Sequence, residues 1–368
     1  MSESPNLVPA HRPVAIGLLL LAFTILLMVG LGGYVRLSGS GLSIPHWPFI
    51  DHSHNLLPPS TEEGWVALKK EYNSTLETIE NAPVGPAQSV AEFKRLFYVE
   101  YSHRALATVV GFAYLFVFCA TLFSRDTRKA IFGRILVIGL LILAQAILGG
   151  IVVQQHLKAY KVALHLTLAF YLFGLVLWMY LTVKRRVDEA PSKNRMRLLA
   201  YHAAGAVLLQ VFLGGLMAGS LAGYQLNTWP KMGESWIATP LWDSSLGIAN
   251  FNSNIVLIQF LHRYWAYFAV AAVVWAAVRM RQFQVSALGR TVMNLAVLVV
   301  VIQFAIGVLT LVMKVHLHTA LTHQLIGLVL FGLLAVACHE FKYRPVVALS
   351  GATATSSDSV KGGAASHA

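Results

Sequence analysis

Apolar residues along the chain fall into long blocks rather than the short alternating stretches of strands or the one-sided stripes of soluble helices. Seven runs contain no Asp, Glu, Lys or Arg: 13–35, 105–124, 135–157, 162–183, 198–230, 291–313 and 315–339. Each is long enough for a helix to cross the hydrocarbon core, which takes about 20 residues. An eighth run, 264–278, is shorter, but the uncharged stretch 244–262 precedes it and only Arg263 separates the two. An arginine near a helix end reaches to the interface, so the pattern predicts eight transmembrane helices. The longest polar interval, 36–100, contains Pro58-Pro59, several acids and the break Val84-Gly85-Pro86. Its segment 62–81 reads as an interfacial or soluble helix.

Composition sharpens this picture. Of 368 residues, 57% are hydrophobic and only 12% charged, and mean hydropathy is +0.63. That is too little charge to cover an aqueous surface, so a soluble two-domain protein is excluded and the expected fold class is an all-α integral membrane protein. The net charge of +12 is a topology signal rather than a mark of nucleic-acid binding. With eight spans, both termini share a side with the loops around 124–134, 184–197 and 279–290. That side holds 17 of the 28 basic residues, among them Lys184-Arg185-Arg186, but only six of the 16 acids. The positive-inside rule places it in the cytoplasm. The N-terminus, MSESPNLVPAHRP, has neither the Arg-rich pattern of a transit peptide nor a cleavage signature, so a bacterial inner membrane is the expected location. The Gly/Ala/Ser/Thr-rich tail reads as disordered. Cys119 and Cys338 lie inside apolar runs and read as structural thiols.

The chain repeats itself. Leu31-Gly32-Gly33 recurs as Leu213-Gly214-Gly215, Gly41 as Gly223 and Trp47-Pro48 as Trp229-Pro230, all 182 residues apart. His103-Arg104 recurs as His262-Arg263, and Gln145, Gly149, His165 and Gly174 recur as Gln303, Gly307, His323 and Gly332. The expected architecture is therefore two pseudo-symmetric four-helix bundles, with the second a parallel copy of the first. The expected boundaries are a tail 1–13, a first bundle 14–183 with outer loop 36–100, a linker 184–197, a second bundle 198–340 and a tail 341–368.

Four histidines occupy matching places. His103 and His262 are expected to open the second and sixth spans, and His165 and His323 lie near the starts of the fourth and eighth, all toward the outer face. A lone histidine on an apolar helix is ordinarily a satisfied core residue, but four at equivalent positions in two repeats point to ligands. Two histidines facing each other across a four-helix bundle suit the axial positions of a haem; zinc takes three or four ligands, and iron–sulfur clusters take thiolates. Arg104 and Arg263 are candidate partners for haem carboxylates. Arg36, whose counterpart is Ala218, joins them as a candidate cofactor-binding residue. The repeated glycines would let helices or a flat macrocycle approach closely, although ordinary helix packing uses them equally well.

The halves differ at one chemically telling place: Glu100-Tyr101-Ser102-His103-Arg104 stands opposite Gln259-Phe260-Leu261-His262-Arg263. Glu100 lies almost one turn before His103 and so on the same face. A carboxylate shuttles protons or stabilises a cation, whereas its glutamine counterpart can only hydrogen-bond. The reacting site is therefore expected in the first half, with an electron-carrying or structural haem in the second. The H-x-H pairs His52/His54 and His316/His318 read as loop positions, as do His46, His156 and His202 with no repeat partners. Trp47 and Trp229 read as interfacial anchors.

The segment Gly32-Gly33-Tyr34-Val35-Arg36-Leu37-Ser38-Gly39-Ser40-Gly41-Leu42-Ser43, the Glu100-x-x-His103-Arg104 motif, Gln259-Phe260-Leu261-His262-Arg263 and Leu321-Thr322-His323-Gln324 together resemble the haem A synthase family of terminal-oxidase assembly, over about residues 14–340. The resemblance implies a membrane oxidoreductase that converts the C8 methyl of haem O to a formyl group by successive hydroxylations. It further implies a b-type haem (haem b) on His262 and His323, and a substrate site with His103 and His165 at the haem O iron and Glu100 as the catalytic carboxylate. Some members carry a cysteine pair in the first outer loop; this chain has none there and resembles the cysteine-free bacterial class. Expected partners are haem O, a haem O synthase, an electron donor or acceptor, membrane lipid and a second copy of the chain, with no nucleic acid. A dihaem b-type cytochrome passing electrons between quinol and a partner is the competing reading, and a haem carrier without chemistry is a third.

Overall fold

A computed structural model describes residues 11–44, 57–79, 85–185 and 194–348. The two tails, Pro45-His46-Trp47, His52, His54 and most of the 184–197 linker lie outside the described residues. Among those described, ten α-helices are α1 Arg12–Leu37, α2 Glu62–Glu77, α3 Val90–Phe123, α4 Arg125–Gln154, α5 Ala159–Arg185, α6 Arg195–Gly219, α7 Asn250–Ser253, α8 Ile255–Met280, α9 Ala287–Val312 and α10 Leu317–Tyr343. All except α2 and α7 are long and apolar enough to cross a membrane, matching the eight expected spans. The only regular strands among these residues are two-residue pieces, β1 Phe283–Gln284 and β2 Val347–Ala348, paired antiparallel.

Local chemistry moves some boundaries. The interval 36–100 is not all loop, because α3 starts at Val90. Ser89 accepts from Glu92 N (3.1 Å), while the Glu92 carboxylate accepts from Gln88 N (2.8 Å), a reciprocal cap. At 34 residues, α3 is about 51 Å long, well beyond the ~30 Å hydrocarbon layer. Its projecting first turns pack Phe93 and Phe97 against Leu42 and against Trp65, Tyr72 and Leu76 of the interval around α2, a small core above the first half. His103 therefore lies well inside its helix instead of opening it. In the second half, 244–254 belongs to the connection before α8 rather than to a span, since Asn254 caps α8 through the amides of Val256 and Leu257.

The repeat governs packing. In the first half, α1 and α4 each contact both α3 and α5; in the second, α6 and α9 each contact both α8 and α10. Between halves, α5 packs on α6, α10 on α1, and α5 meets α10 centrally. There the two copies interlock: Phe331 fills the space a Cβ would take at Gly174 (2.7 Å), and Phe173 does the same at Gly332 (2.9 Å). Backbone conformation repeats too. Gly39 and its counterpart Leu221 are both left-handed (φ 73° and 58°), as are the linked pairs His156-Leu157 and Lys314-Val315. For leucine and valine such conformations cost about 1–3 kcal/mol, so the surrounding packing must hold them.

The end of the helical body where α10 finishes contains a buried acid that charge counting assigned to the aqueous side. Glu340 is 1% exposed and accepts from Ser286 Oγ (2.6 Å), the N-cap of α9. Asn194, the N-cap of α6, donates to Phe341 O (2.8 Å). The end of α10 thereby ties down the starts of two other helices.

Candidate functional site

Each of the four histidines lies against a glycine on a neighbouring helix. A Cβ at Gly32 on α1 would lie 3.1 Å from His103 Nε2 on α3, and one at Gly149 on α4 would lie 3.1 Å from His165 Cε1 on α5. In the second half, a Cβ at Gly214 on α6 would lie 3.2 Å from His262 Cε1 on α8, and one at Gly307 on α9 would lie 2.8 Å from His323 Cε1 on α10. The repeated glycines thus make room for imidazoles, not merely for helices. Among the described residues no group of three or more His, Cys, Asp or Glu gathers in metal-binding geometry. The histidines come in twos, the number a six-coordinate haem takes from protein.

In the second half, His262 and His323 line one cavity of about 580 Å³, within the ~300–1,000 Å³ range of cofactor sites. Its walls are mostly apolar, with Val207, Val211, Val270 and Phe304 among them. The buried atoms fit a bis-histidine macrocycle. His323 Nδ1 and Gln303 Oε1 have no partner among the described residues, although Gln303 Nε2 lies 3.5 Å from His323 Nε2. Rotating that amide lets Oε1 accept one imidazole N–H, leaving the other nitrogen for iron, the usual support for a metal-bound histidine. His165 Nδ1 and Gln145 Oε1 are likewise buried without partners among the described residues, and Gln145 donates to His165 O (3.0 Å). Gln210 on α6 lies 3.1 Å from His262 Nδ1 and donates to His262 O (3.0 Å). Its position corresponds to Met28 in the first half, so repeat comparison could not reveal it.

The carboxylate and its glutamine counterpart are used differently. Gln259 is fully buried and donates to Ala222 O (2.7 Å) and Gln225 O, latching the turn after α6. Glu100, 4% exposed, instead accepts from Arg104 Nε (2.9 Å). In the first half the carbonyl equivalent to that of Ala222 belongs to Ser40, and it accepts from Ser43 Oγ (2.7 Å). A serine has taken over the latch, so the acid is released from that task.

The three arginines also separate. Arg104 Nη2 donates to Ile44 O (2.5 Å), and Arg263 donates to Thr228 O (2.9 Å), Lys231 O (3.1 Å) and Leu226 O. Both tether the connections that follow α1 and α6. Arg36, read from sequence as a mark of the first half, lines the second-half cavity and donates to Ala218 O (2.5 Å). Trp229, expected as an interfacial anchor, lies on that cavity's wall as well. His316 and His318 are exposed with ring centroids 5.4 Å apart; His202 is exposed and bonds to Leu198 O, outside this site. Cys119 and Cys338 are free thiols within α3 and α10.

Comparison with known proteins identifies the family. Residues 15–335 match the family model COX15-CtaA, described as cytochrome oxidase assembly protein. The chain is 30% identical over 340 residues to a haem A synthase of Rhizorhabdus wittichii, covering 90% of this chain and 95% of that protein. It is 32% identical to the haem A synthase of Paracoccus denitrificans over 91% and 89% of the two chains, and 33% identical to that of Methylorubrum extorquens over 87% and 84%. With eight spans, paired histidines in each half and a match running through nearly all of the helical body, the chain belongs to the COX15-CtaA family of cytochrome oxidase assembly proteins.

Proposed function

We propose that this protein is a haem A synthase, an oxidoreductase that converts haem O to haem A by oxidising the C8 methyl group to a formyl group. The observation that carries this reading is the asymmetry of a duplicated two-histidine site: only the first half combines its histidines with a buried carboxylate free of loop latching. His103 and His165 hold the substrate haem there, and His262 and His323 hold a resident b-type haem in the second half. A b-type haem supplies a one-electron carrier. Gln210 lies within hydrogen-bond distance of the second-half ligand His262, as suits a permanent cofactor, whereas its repeat counterpart in the first half is Met28, which has no amide to give a histidine.

Arg104 orients the Glu100 carboxylate, which takes up protons released as the methyl is hydroxylated and stabilises positive charge at that carbon. A second hydroxylation gives a geminal diol that loses water to leave the formyl group. With water as the oxygen source, each hydroxylation replaces a C–H bond by a C–O bond and releases two protons and two electrons, and the electrons pass to an acceptor outside this chain. The charge distribution supports a bacterial inner membrane location with both termini cytoplasmic and both sites toward the periplasm. Substrate transfer from a haem O synthase and self-association belong to the same reading.

Extracting pigment from protein purified out of cells supplied with haem O tests the proposal. Hydroxylated or formyl haem is expected; haem B alone would favour the electron-transfer cytochrome instead. In the Glu100→Gln variant, conversion should fall by about 10²–10⁴-fold, the usual size of a general acid–base contribution, while the second-half b-type spectrum persists. Normal conversion by that variant would remove Glu100 from the mechanism.

A further inference from the structure

The second-half cavity is not built by the second half alone. The α1 residues Gly33, Arg36 and Leu37 line it, and Gln324, next to His323, donates to Val29 O on α1 (2.7 Å). Adjacent residues of α1 therefore face different sites, with Gly32 against His103 of the first and Gly33 against Gln324 of the second.

An acidic group entering this cavity needs a cation, and the evident one is already engaged. Arg263 gives both terminal nitrogens to the carbonyls of Leu226, Thr228 and Lys231. The buried Nε atoms of Arg263 and Arg36 both lack a partner among the described residues, but Arg36 gives only one terminal nitrogen, Nη2, to a carbonyl, that of Ala218, and its Nη1 makes no hydrogen bond among those residues. Ala218 is the repeat counterpart of Arg36, and its small side chain leaves space for a guanidinium arriving from the other half. A second arginine there would put two like charges side by side.

We propose that Arg36 is a cross-half anion clamp, in which the first half supplies the guanidinium that holds a carboxylate of the macrocycle bound between His262 and His323. This rests on the reading of that cavity as the b-type haem site. Arginine suits the task because its planar fork matches a carboxylate and stays charged in partly buried surroundings. The clamp makes Arg36 a positioning residue of the second site, and through α1 it ties that site's occupancy to the helix that packs against His103.

The test compares full-length wild type with Arg36→Gln, Arg36→Lys and His262→Ala, reading haem-to-protein ratio and midpoint potential at pH 8. Removing a cation beside the haem destabilises its reduced state. Arg36→Gln should therefore lower the reduced-to-oxidised ratio at fixed potential about tenfold, a midpoint shift of about 59 mV for one electron, and Arg36→Lys should restore most of it. A wild-type midpoint in Arg36→Gln overturns the clamp, whether haem content is normal or reduced. His262→Ala separates the two levels: its b-type spectrum should vanish, and if the spectrum survived, the site reading would fall together with the clamp. Loss of the spectrum in His262→Ala with a wild-type midpoint in Arg36→Gln removes the clamp alone.

Discussion

At Gly307 a single missing methyl decides whether an imidazole has its place. A Cβ there would lie 2.8 Å from His323 Cε1, so Gly307→Ala must displace the ring or its helix, an overpacking that typically costs about 1–3 kcal/mol. The expected result is a shifted or weakened b-type absorption band and a lower thermal midpoint. Gly111→Ala is the matched control, because a Cβ there meets nothing within 4 Å; if both variants kept the wild-type spectrum, the glycine would not be making room for the ring. The histidines and their glycines were legible as repeated positions, but a repeated glycine does not say what presses on it. Gln210 left no trace in the repeat because its counterpart is Met28, and Arg36 was visible while its destination was not.

For the helices, charge-free runs locate spans well and ends poorly. The run 105–124 marks only the charge-free part of α3, since helix formation needs a cap and satisfied backbone groups, not an absence of charge. The start at Val90 was written in Ser89 and Glu92, a capping-box spacing hidden within a polar interval. The connections after α1 and α6 are held by the arginines that follow His103 and His262. Arg263→Ala leaves the carbonyls of Leu226, Thr228 and Lys231 without that donor; hydrogen bonds to charged groups contribute about 1.5–3 kcal/mol. Limited proteolysis should then cut more readily within 220–254 while the segment around α2 keeps its wild-type resistance. An unchanged cleavage pattern would show that other contacts hold the loop.

For the molecule as a whole, the two bundles are joined by seams that the repeat makes similar in plan and unequal in closeness. At the α5–α6 seam, an added Cβ at Gly215 would come within 2.5 Å of Ala163 Cα, whereas Gln324 fits between α10 and α1 and the long Arg36 side chain reaches from α1 to α6. Gly215→Leu is expected to lower the thermal midpoint and the yield of folded protein, while Gly205→Ala, facing open space, leaves both unchanged. Equal yields would mean that the seam tolerates separation. The chain by itself determined the all-helical membrane class, the eight spans, the duplication, the four histidines and the odd carboxylate, because each depends on residue type and spacing along one chain. Only the tertiary structure decided that Gln259 latches a turn while Glu100 does not, that Arg104 and Arg263 are engaged by loops, and that Arg36 crosses into the other half. Those outcomes depend on which backbone carbonyls and empty volumes lie opposite a side chain once distant helices have packed, and no spacing within the sequence records that.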